Sequence, residues 1–273
     1  NMLIYELNPT RASSAVNILN FVWGVGAIIC SLTVYSVSKA IGFFPISIVL
    51  SAILFAIAIG LWLLPSNLEE KPVATDDDSI DFSVPIWTNP IAWLIAGFNF
   101  IHVGFETSMG GWLPTYTERL VGKSFEWWLA PTFIFFLLFV VGRGVAPIIL
   151  RLMDETKMLL LSVVTMLLGL IILLISKDLL MLCLGSAIAG FGTSSVFPNN
   201  MSRFTKTFGA SASRRATPFF IAGTLGATFT TQVIGYTSNY FNSLNSGMFI
   251  LLGSVLILII LQVILMFPKS RNN

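Results

Sequence analysis

The sequence predicts an all-α polytopic membrane protein, and three observations lead there. Its 273 residues are 55% hydrophobic and only 10% charged, against about 25% charged in ordinary soluble domains. Mean hydropathy is +0.86, more apolar surface than a soluble fold can hide. Apolar runs of roughly 20 residues, long enough to cross a ~30 Å hydrocarbon core, recur about eight times. Their internal Gly, Ser and Thr favour close-packed helices over barrel strands.

In chain order the expected spans are Ala15–Val37, Phe43–Leu64, Asn89–Trp112, Trp127–Leu150, Met158–Ile175, Leu179–Met201, Thr217–Tyr240 and Met248–Phe267. Ahead of them, Asn1-Met2-Leu3-Ile4-Tyr5-Glu6 reads as the tail of an earlier helix, with no cleavable signal pattern. The expectation is that N-terminal spans are missing. Cys30 and Cys183 lie in apolar runs and read as packed thiols rather than a disulfide framework. Between the second and third spans, Pro65–Pro85 carries Glu69, Glu70, Asp76, Asp77, Asp78 and Asp81 and reads as a solvated linker.

Charge sets the orientation. Arg11, Lys71, Arg151, Lys157, Arg203, Lys206, Arg214, Arg215, Lys269 and Arg271 fall on one side of these spans. Lys39, Arg119, Lys123 and Lys177 fall on the other. The positive-inside rule therefore places the linker and C-terminus in the cytoplasm. Trp112, Trp127 and Trp128 then belong to the outer interface and Trp62, Trp87 and Trp93 to the inner one, while Trp23 sits within the first span. A shift of 200 positions matches Ala12, Ser13, Gly26 and Ala27 to Ala212, Ser213, Gly226 and Ala227, a weak sign of duplicated halves or of chance.

The third span holds Asn99, His102 and Glu106, which share one helical face. An ionisable residue at such a depth marks a solute or ion pathway, or is a protonated acid bonded to a neighbouring helix. His102, the only histidine, either meets solute or proton or bonds across the bundle. The i, i+4 spacing of His102 and Glu106 also suits two metal ligands, but one pair is too few for a metal centre. No metal or other cofactor is expected, and no nucleic-acid partner.

Arg143 is the second charge within a span. Counted at 1.5 Å per residue, Glu106 stands ~24 Å above the inward end of its helix and Arg143 ~24 Å below the outward start of the next, near Trp127. In a ~30 Å core those depths keep the two apart. Arg143 is expected instead to snorkel inward, or to pair with Asp154 or Glu155, as a gate latch or an anchor. Asn17 and Asn20 share a face with Gly24 and Ala27, and Asn199, Asn200 and Gln232 are further amides at or within spans. Any of these amides can bond between helices or to a solute hydroxyl. Asn20 beside Trp23 offers hydrogen bonds and an apolar plate, a combination that fits a sugar-like ligand. Gly24-Val25-Gly26, Gly104, Gly110-Gly111, Gly190-Phe191-Gly192 and Phe197-Pro198-Asn199 interrupt otherwise regular spans.

Two stretches carry a family resemblance. The run from Asn17 through Asn20, Gly24 and Gly26 to Ala27, and the run from His102 through Gly104, Glu106, Gly110, Gly111 and Trp112 to Tyr116, resemble the major facilitator superfamily. Within it they are similar to the fucose–proton symporter-like sugar carriers, as are Gly142-Arg143, Gly190-Phe191-Gly192 and Phe197-Pro198-Asn199. The resemblance implies a major facilitator-type bundle with about eight transmembrane helices of an original twelve. Residues 1–64 would be the end of an N-terminal bundle (tail of helix four, helices five and six), 65–85 a cytoplasmic linker, and 86–273 a C-terminal six-helix bundle. It implies a secondary carrier for a small polar solute such as a sugar, driven by a proton or sodium gradient and seated in the plasma membrane. Asn20, Trp23, Asn99, His102 and Glu106 would line the cavity, with Glu106 the coupling group and Arg143 and Asn199 near the gate. The family's proposed coupling acids on its first and fourth helices have no counterpart here. A membrane-embedded metal-dependent enzyme and a non-transporting receptor or scaffold are the alternatives from other classes.

Overall fold

A computed structural model describes Ile4, Asn8, residues 11–63, 86–122, 130–209, 212 and 215–267. Linker 65–85, Trp127, Trp128, Lys71, Lys123, Arg214, Lys269 and Arg271 lie outside the described residues. The described residues are almost wholly helical, and all eight expected spans are helices. They are α1 (Ala12–Ile41), α2 (Phe43–Trp62), α3 (Pro90–Val121), α4 (Pro131–Ile149), α5 (Glu155–Ile175), α6 (Leu179–Thr193), α7 (Val196–Phe208), α8 (Thr217–Tyr240) and α9 (Leu244–Met266), with a 3₁₀ turn at Ile86–Thr88. The sixth expected span is two helices, α6 and α7, divided at Ser194 and Ser195.

The chain forms two compact units, one of residues 1–22 with 84–273 and one of 23–83. The smaller unit holds most of α1 and all of α2, joined at Gly42, whose φ of 85° no β-carbon tolerates easily. α2 is apolar on every side, and Phe44, Leu54, Phe55 and Trp62 stand exposed on it. A helix of this kind belongs in lipid or against another apolar surface.

In the larger unit the helix starts are written locally. The Asn89 side chain accepts from the Ile91 amide at 2.9 Å and Pro90 opens α3, while Gly122, at φ 68°, closes it. Asp154 and Asp178 cap α5 and α6 by accepting from the Lys157 and Met181 amides, each at 2.9 Å. The Lys157 amide, the nearer Lys157 ammonium and the Thr156 amide hold the exposed Asp154 carboxyl below its usual range.

Five helical stretches are long and apolar enough by composition alone to cross a membrane: Ala12–Ile29, Pro131–Ile149, Glu155–Ile175, Leu179–Phe208 and Leu244–Met266. α3 and α8 are more polar, and they pack along each other. Glycines permit that approach, since a β-carbon on Gly226 would land on the Phe100 carbonyl and one on Gly104 on the Thr230 side chain. α5 meets α6 in the same way through Gly169, Gly185 and Gly192, and α4 meets α6 where Gly190 faces the Phe135 carbonyl. The largest apolar core runs between these helices through Phe105, Met109, Phe135, Leu159, Met166 and Leu251. A second cluster of Ile95, Met201, Phe204 and Phe219 fills the end that holds the α3 N-terminus. There Trp87 donates to the Arg215 carbonyl at 3.0 Å and Trp93 to the Trp87 carbonyl at 2.8 Å.

Gly226→Ala and Gly190→Ala should each destabilise the folded protein by about 1–3 kcal/mol through overpacking against backbone. Gly253→Ala, with open space around its α-carbon, should leave stability unchanged. Thermal unfolding of the purified protein in one detergent separates the two groups; equal midpoints would show that the glycines do not set the helix spacing.

Candidate functional site

Two polar centres stand at different depths of the larger unit. The first surrounds Glu106, near the midpoint of the 32-residue α3. Helical spacing places Asn99, His102 and Glu106 in one file. His102 Nε2 lies 3.5 Å from Glu106 Oε2, and the side chains are 1% and 23% exposed respectively. The imidazole is thus sealed behind a carboxylate that still reaches open space. Asn99 is enclosed, and its Nδ2 donates to the Phe219 carbonyl of α8 at 2.9 Å. Beyond Glu106 the α3–α8 seam continues, with Ser108 and Thr231 hydroxyls 3.1 Å apart and Trp112 donating to the Thr231 carbonyl at 3.3 Å.

Arg143 on α4 is enclosed by the bundle, contrary to the expectation that it snorkels inward or pairs with Asp154 or Glu155. It is 3% exposed, so it does not snorkel outward. Its Nε donates to the Ser194 carbonyl at 3.2 Å, and its guanidinium lies 3.9 Å over the Phe139 ring. The depth count overstates both heights. α4 begins at Pro131 rather than Trp127, which puts Arg143 only ~18 Å along it. α3 extends about 48 Å, well past the bilayer core, so height counted from Pro90 overstates where Glu106 sits. The expected partners are also engaged elsewhere: Asp154 pairs with Lys157 at 3.3 Å and Glu155 with Lys206 at 2.6 Å.

The second centre gathers around Glu155 at the first turn of α5. Its Oε1 accepts from Ser13 at 2.5 Å and from Lys206 at 2.6 Å, and its Oε2 accepts from Ser202 at 2.8 Å. One turn along α1 from Ser13, Asn17 Nδ2 donates to Asn199 Oδ1 at 3.3 Å. Glu155 and Asn199 thereby bind the start of α1 to α7. Arg203, which feels the Glu155 charge, bonds to the buried Gln262 side chain of α9. Gln262 in turn donates to the Thr156 carbonyl at 2.9 Å. Cavities of about 270 Å³ and 760 Å³ open beside this cluster, the first walled by Glu155, Asn199, Arg203 and Lys206 and the second by Arg11, Ser13, Arg151 and Glu155.

This architecture has close counterparts. A crystal structure of FucP, a major facilitator superfamily transporter in the outward conformation, superposes with a TM-score of 0.69 at 16% identity, over 92% of this chain and 67% of that one. The chain has the major facilitator fold. It is 26% identical over 199 residues to sodium-dependent glucose transporter 1 of Xenopus laevis, covering 71% of this chain and 40% of that protein. The chain thus spans well under half the length of that curated relative. No family model matches.

Within the major facilitator fold the remaining expected residues are dispersed. Asn20 donates to the Val16 carbonyl of its own helix at 2.8 Å and is half-buried. Trp23 is 64% exposed and belongs to the smaller unit. Asn199, expected near the gate, is buried one turn from the Glu155 centre and accepts from Asn17. Sequence reasoning named Glu155 only as a candidate partner of Arg143 and missed its joining to Ser13, Ser202 and Lys206. The signal was available: Ser202 and Lys206 stand four apart on the one strongly amphipathic helix, α7. It also passed over a stripe of exposed polar side chains on α8, Thr217, Thr224, Thr228 and Gln232, opposite the Gly223–Gly226–Thr230 face that meets α3.

Removing the Glu155 charge should loosen the bond between α1 and α7. In Glu155→Gln protein, alkylation of a cysteine at Asn17 by a hydrophilic maleimide should accelerate several-fold. An unchanged rate would show that the carboxylate does not hold this end shut.

Proposed function

We propose that this protein is a secondary active transporter that carries a small polar, sugar-like solute by alternating access, coupled to a proton or sodium gradient. The observation that carries this reading is the Glu106–His102 pair near the middle of α3 in a major facilitator fold. His102 Nε2 stands 3.5 Å from a carboxylate that is 23% exposed, so an ionisable group deep in a span is both partnered and reachable. Taking up a proton or sodium ion changes the net charge of the cluster. That is the change a coupled carrier needs between its loaded and empty states.

In this reading Glu106 is the coupling group and His102 fixes its orientation from behind. Among the residues expected to bind solute, Asn99 belongs to the Glu106 file; Asn20 and Trp23 are proposed to offer hydrogen bonds and an apolar plate, as are the exposed α8 hydroxyls of Thr224 and Thr228, each on its own element. The Ser13–Glu155–Lys206 and Asn17–Asn199 contacts form the gate on the side of the linker and C-terminus, which the basic residues make cytoplasmic. Asn199 is a gate residue, and Arg143 serves the central site. The halves divide at residues 65–85, and the protein resides in the plasma membrane. Support comes from the likeness to FucP, a major facilitator superfamily transporter, and to a sodium-dependent glucose transporter.

The test uses the natural full-length protein in proteoliposomes with a panel of radiolabelled hexoses. Glu106→Gln should abolish uphill accumulation, lowering it at least about tenfold, while solute exchange down a gradient persists. Acid-stimulated uptake would identify the proton as the driving ion, and sodium-dependent uptake the sodium ion. Undiminished accumulation by the Glu106→Gln protein would remove the carboxylate from the pathway.

A further inference from the structure

The cavity of about 270 Å³ beside Glu155 is lined by hydrogen-bond donors with nothing to donate to. Asn199, fully buried, lines it, and Asn199 Nδ2 has no partner. Turning the amide over does not remove this orphan. Asn17 Nδ2 donates to both the Ser13 carbonyl at 2.9 Å and Asn199 Oδ1 at 3.3 Å, which fixes the Asn199 oxygen toward α1 and leaves its nitrogen over. Arg203 repeats the pattern: Gln262 takes one of its terminal nitrogens, and the other, Nη1, is buried without a partner. The adjoining cavity of about 760 Å³ shares Asp154, Glu155 and Lys206 with the first and adds Arg11 and Arg151. Among the described residues no carboxylate stands within ion-pair distance of Arg11, Arg151 or Arg203. The acids of these walls are already engaged, Asp154 by Lys157 and Glu155 by Lys206 and two serines. What the two cavities have left over is donors and positive charge, and buried donors are costly to leave unmet.

We infer that the two adjoining cavities form a binding site for an organic phosphate, whose phosphate oxygens accept from Arg11, Arg151, Asn199 and Arg203. The inference stands apart from the carrier reading, because binding here needs neither a transported solute nor a driving ion. Three features select this chemistry. The orphaned groups are all donors, so the ligand must bring acceptors. The guanidiniums come from separate elements (Arg11 ahead of α1, Arg151 in the turn between α4 and α5, Arg203 on α7), so the ligand must bring several oxygens and negative charge to share among them. The planar fork of arginine matches phosphate in two-point contact better than any single-oxygen acceptor. The larger cavity also has an apolar side, made by Ile18, Pro147, Leu150 and Met153, which has no use for a bare inorganic ion and suits a carbon-bearing ester group. Its volume lies within the ~300–1,000 Å³ of ordinary small-molecule sites. A phospholipid headgroup and a soluble phosphate ester offer the same phosphate to these residues.

The experiment uses the natural full-length protein in a non-ionic detergent at constant ionic strength, with phenyl phosphate and inorganic phosphate as probes. Saturating phenyl phosphate should raise the thermal unfolding midpoint by at least about 3 °C. Calorimetric titration should show it binding more tightly than inorganic phosphate, which cannot use the apolar side. Arg203→Gln and Arg151→Gln should each weaken that binding at least about tenfold. Arg203 also bonds to Gln262, so its replacement disturbs the fold as well; Arg151 is exposed and its replacement tests the site alone. Lys177→Gln, which removes a positive charge on the far side of the spans, should leave binding unchanged. Vesicles then identify the source. If phosphatidylglycerol vesicles suppress phenyl phosphate binding relative to phosphatidylcholine vesicles, and Arg151→Gln erases that difference, the occupant is a lipid headgroup. Equal binding in the two vesicles assigns the site to a soluble ester, and either result sustains it. No midpoint shift with either probe, together with no difference between the vesicles, overturns the inference and leaves the cavities to water. Binding that survives both arginine substitutions at full strength overturns it too. None of these outcomes depends on uptake, so an empty site leaves the carrier reading standing, and a protein that fails to transport leaves the site standing.

Discussion

A charge enclosed by an apolar bundle must be met by polar partners, and Glu106 and Arg143 each have them here: the His102 imidazole stands beside the carboxylate, and the Ser194 carbonyl and the Phe139 ring hold the guanidinium. The surrounding packing follows from keeping both groups in place. Gly142 lets α4 approach the α6–α7 break so that the guanidinium finds the Ser194 carbonyl, and Phe139 covers its face. Gly104 and Gly226 press α3 onto α8, which holds the Asn99–His102–Glu106 file against the Phe219 carbonyl and leaves only the carboxylate open. None of these glycines is needed for a turn. Each is needed for a distance.

The Glu155 centre obeys a different constraint. Lys206 and Glu155 are partly exposed, so their attraction is weakened by water, and an isolated surface pair contributes ~1 kcal/mol or less. Glu155 gains strength from company: two serine hydroxyls accompany the ammonium, and Asn17 and Asn199 pair one turn deeper. Several modest bonds between α1 and α7 can hold an end closed and still be released together by a few kcal/mol of solute or ion binding. A single strong pair would be harder to open. The buried Arg203–Gln262–Thr156 chain, by contrast, ties α7, α9 and α5 through bonds shielded from water.

The sequence was most informative where the signal is one-dimensional. The helices and the fold follow from apolar run length and from motifs such as Glu106 to Trp112. It was least informative where two helices must be set in register. The placement of Arg143 failed because a proline four residues into the expected span starts α4 late, and because α3 overshoots the bilayer. Helix ends were the weak link, and depth arguments inherit their error. Glu155 was hidden for another reason. An acidic residue in the first turn of a helix is already explained by the helix dipole, so nothing marked it as the partner of Ser13 from more than a hundred residues away. Asn99 was visible as polar, but whether an amide faces a solute or a neighbouring carbonyl depends on Phe219, which no local pattern reveals.

The hydropathy of the spans carries a further meaning. α5 and α9 are the most apolar of the long helices, and their exposed residues, such as Leu168, Ile175, Ile257 and Ile260, need nothing but hydrocarbon around them. α3 and α8 fall below that level although each is long enough to cross. Their polar residues are not scattered. On α3 they form the Asn99–His102–Glu106 file, and on α8 they divide between Thr230 against α3 and the exposed Thr217, Thr224, Thr228 and Gln232. Hydroxyls that bond back to their own helix, as Thr224 and Thr228 do to Phe220 and Thr224 at 3.3 and 3.2 Å, keep a lone pair for an outside donor at little cost in lipid. A helix that must border both a packed neighbour and a wet path cannot also be uniformly greasy. The lower hydropathy of α3 and α8 therefore reflects polar side chains held along one shared seam and one exposed stripe, not a failure to span.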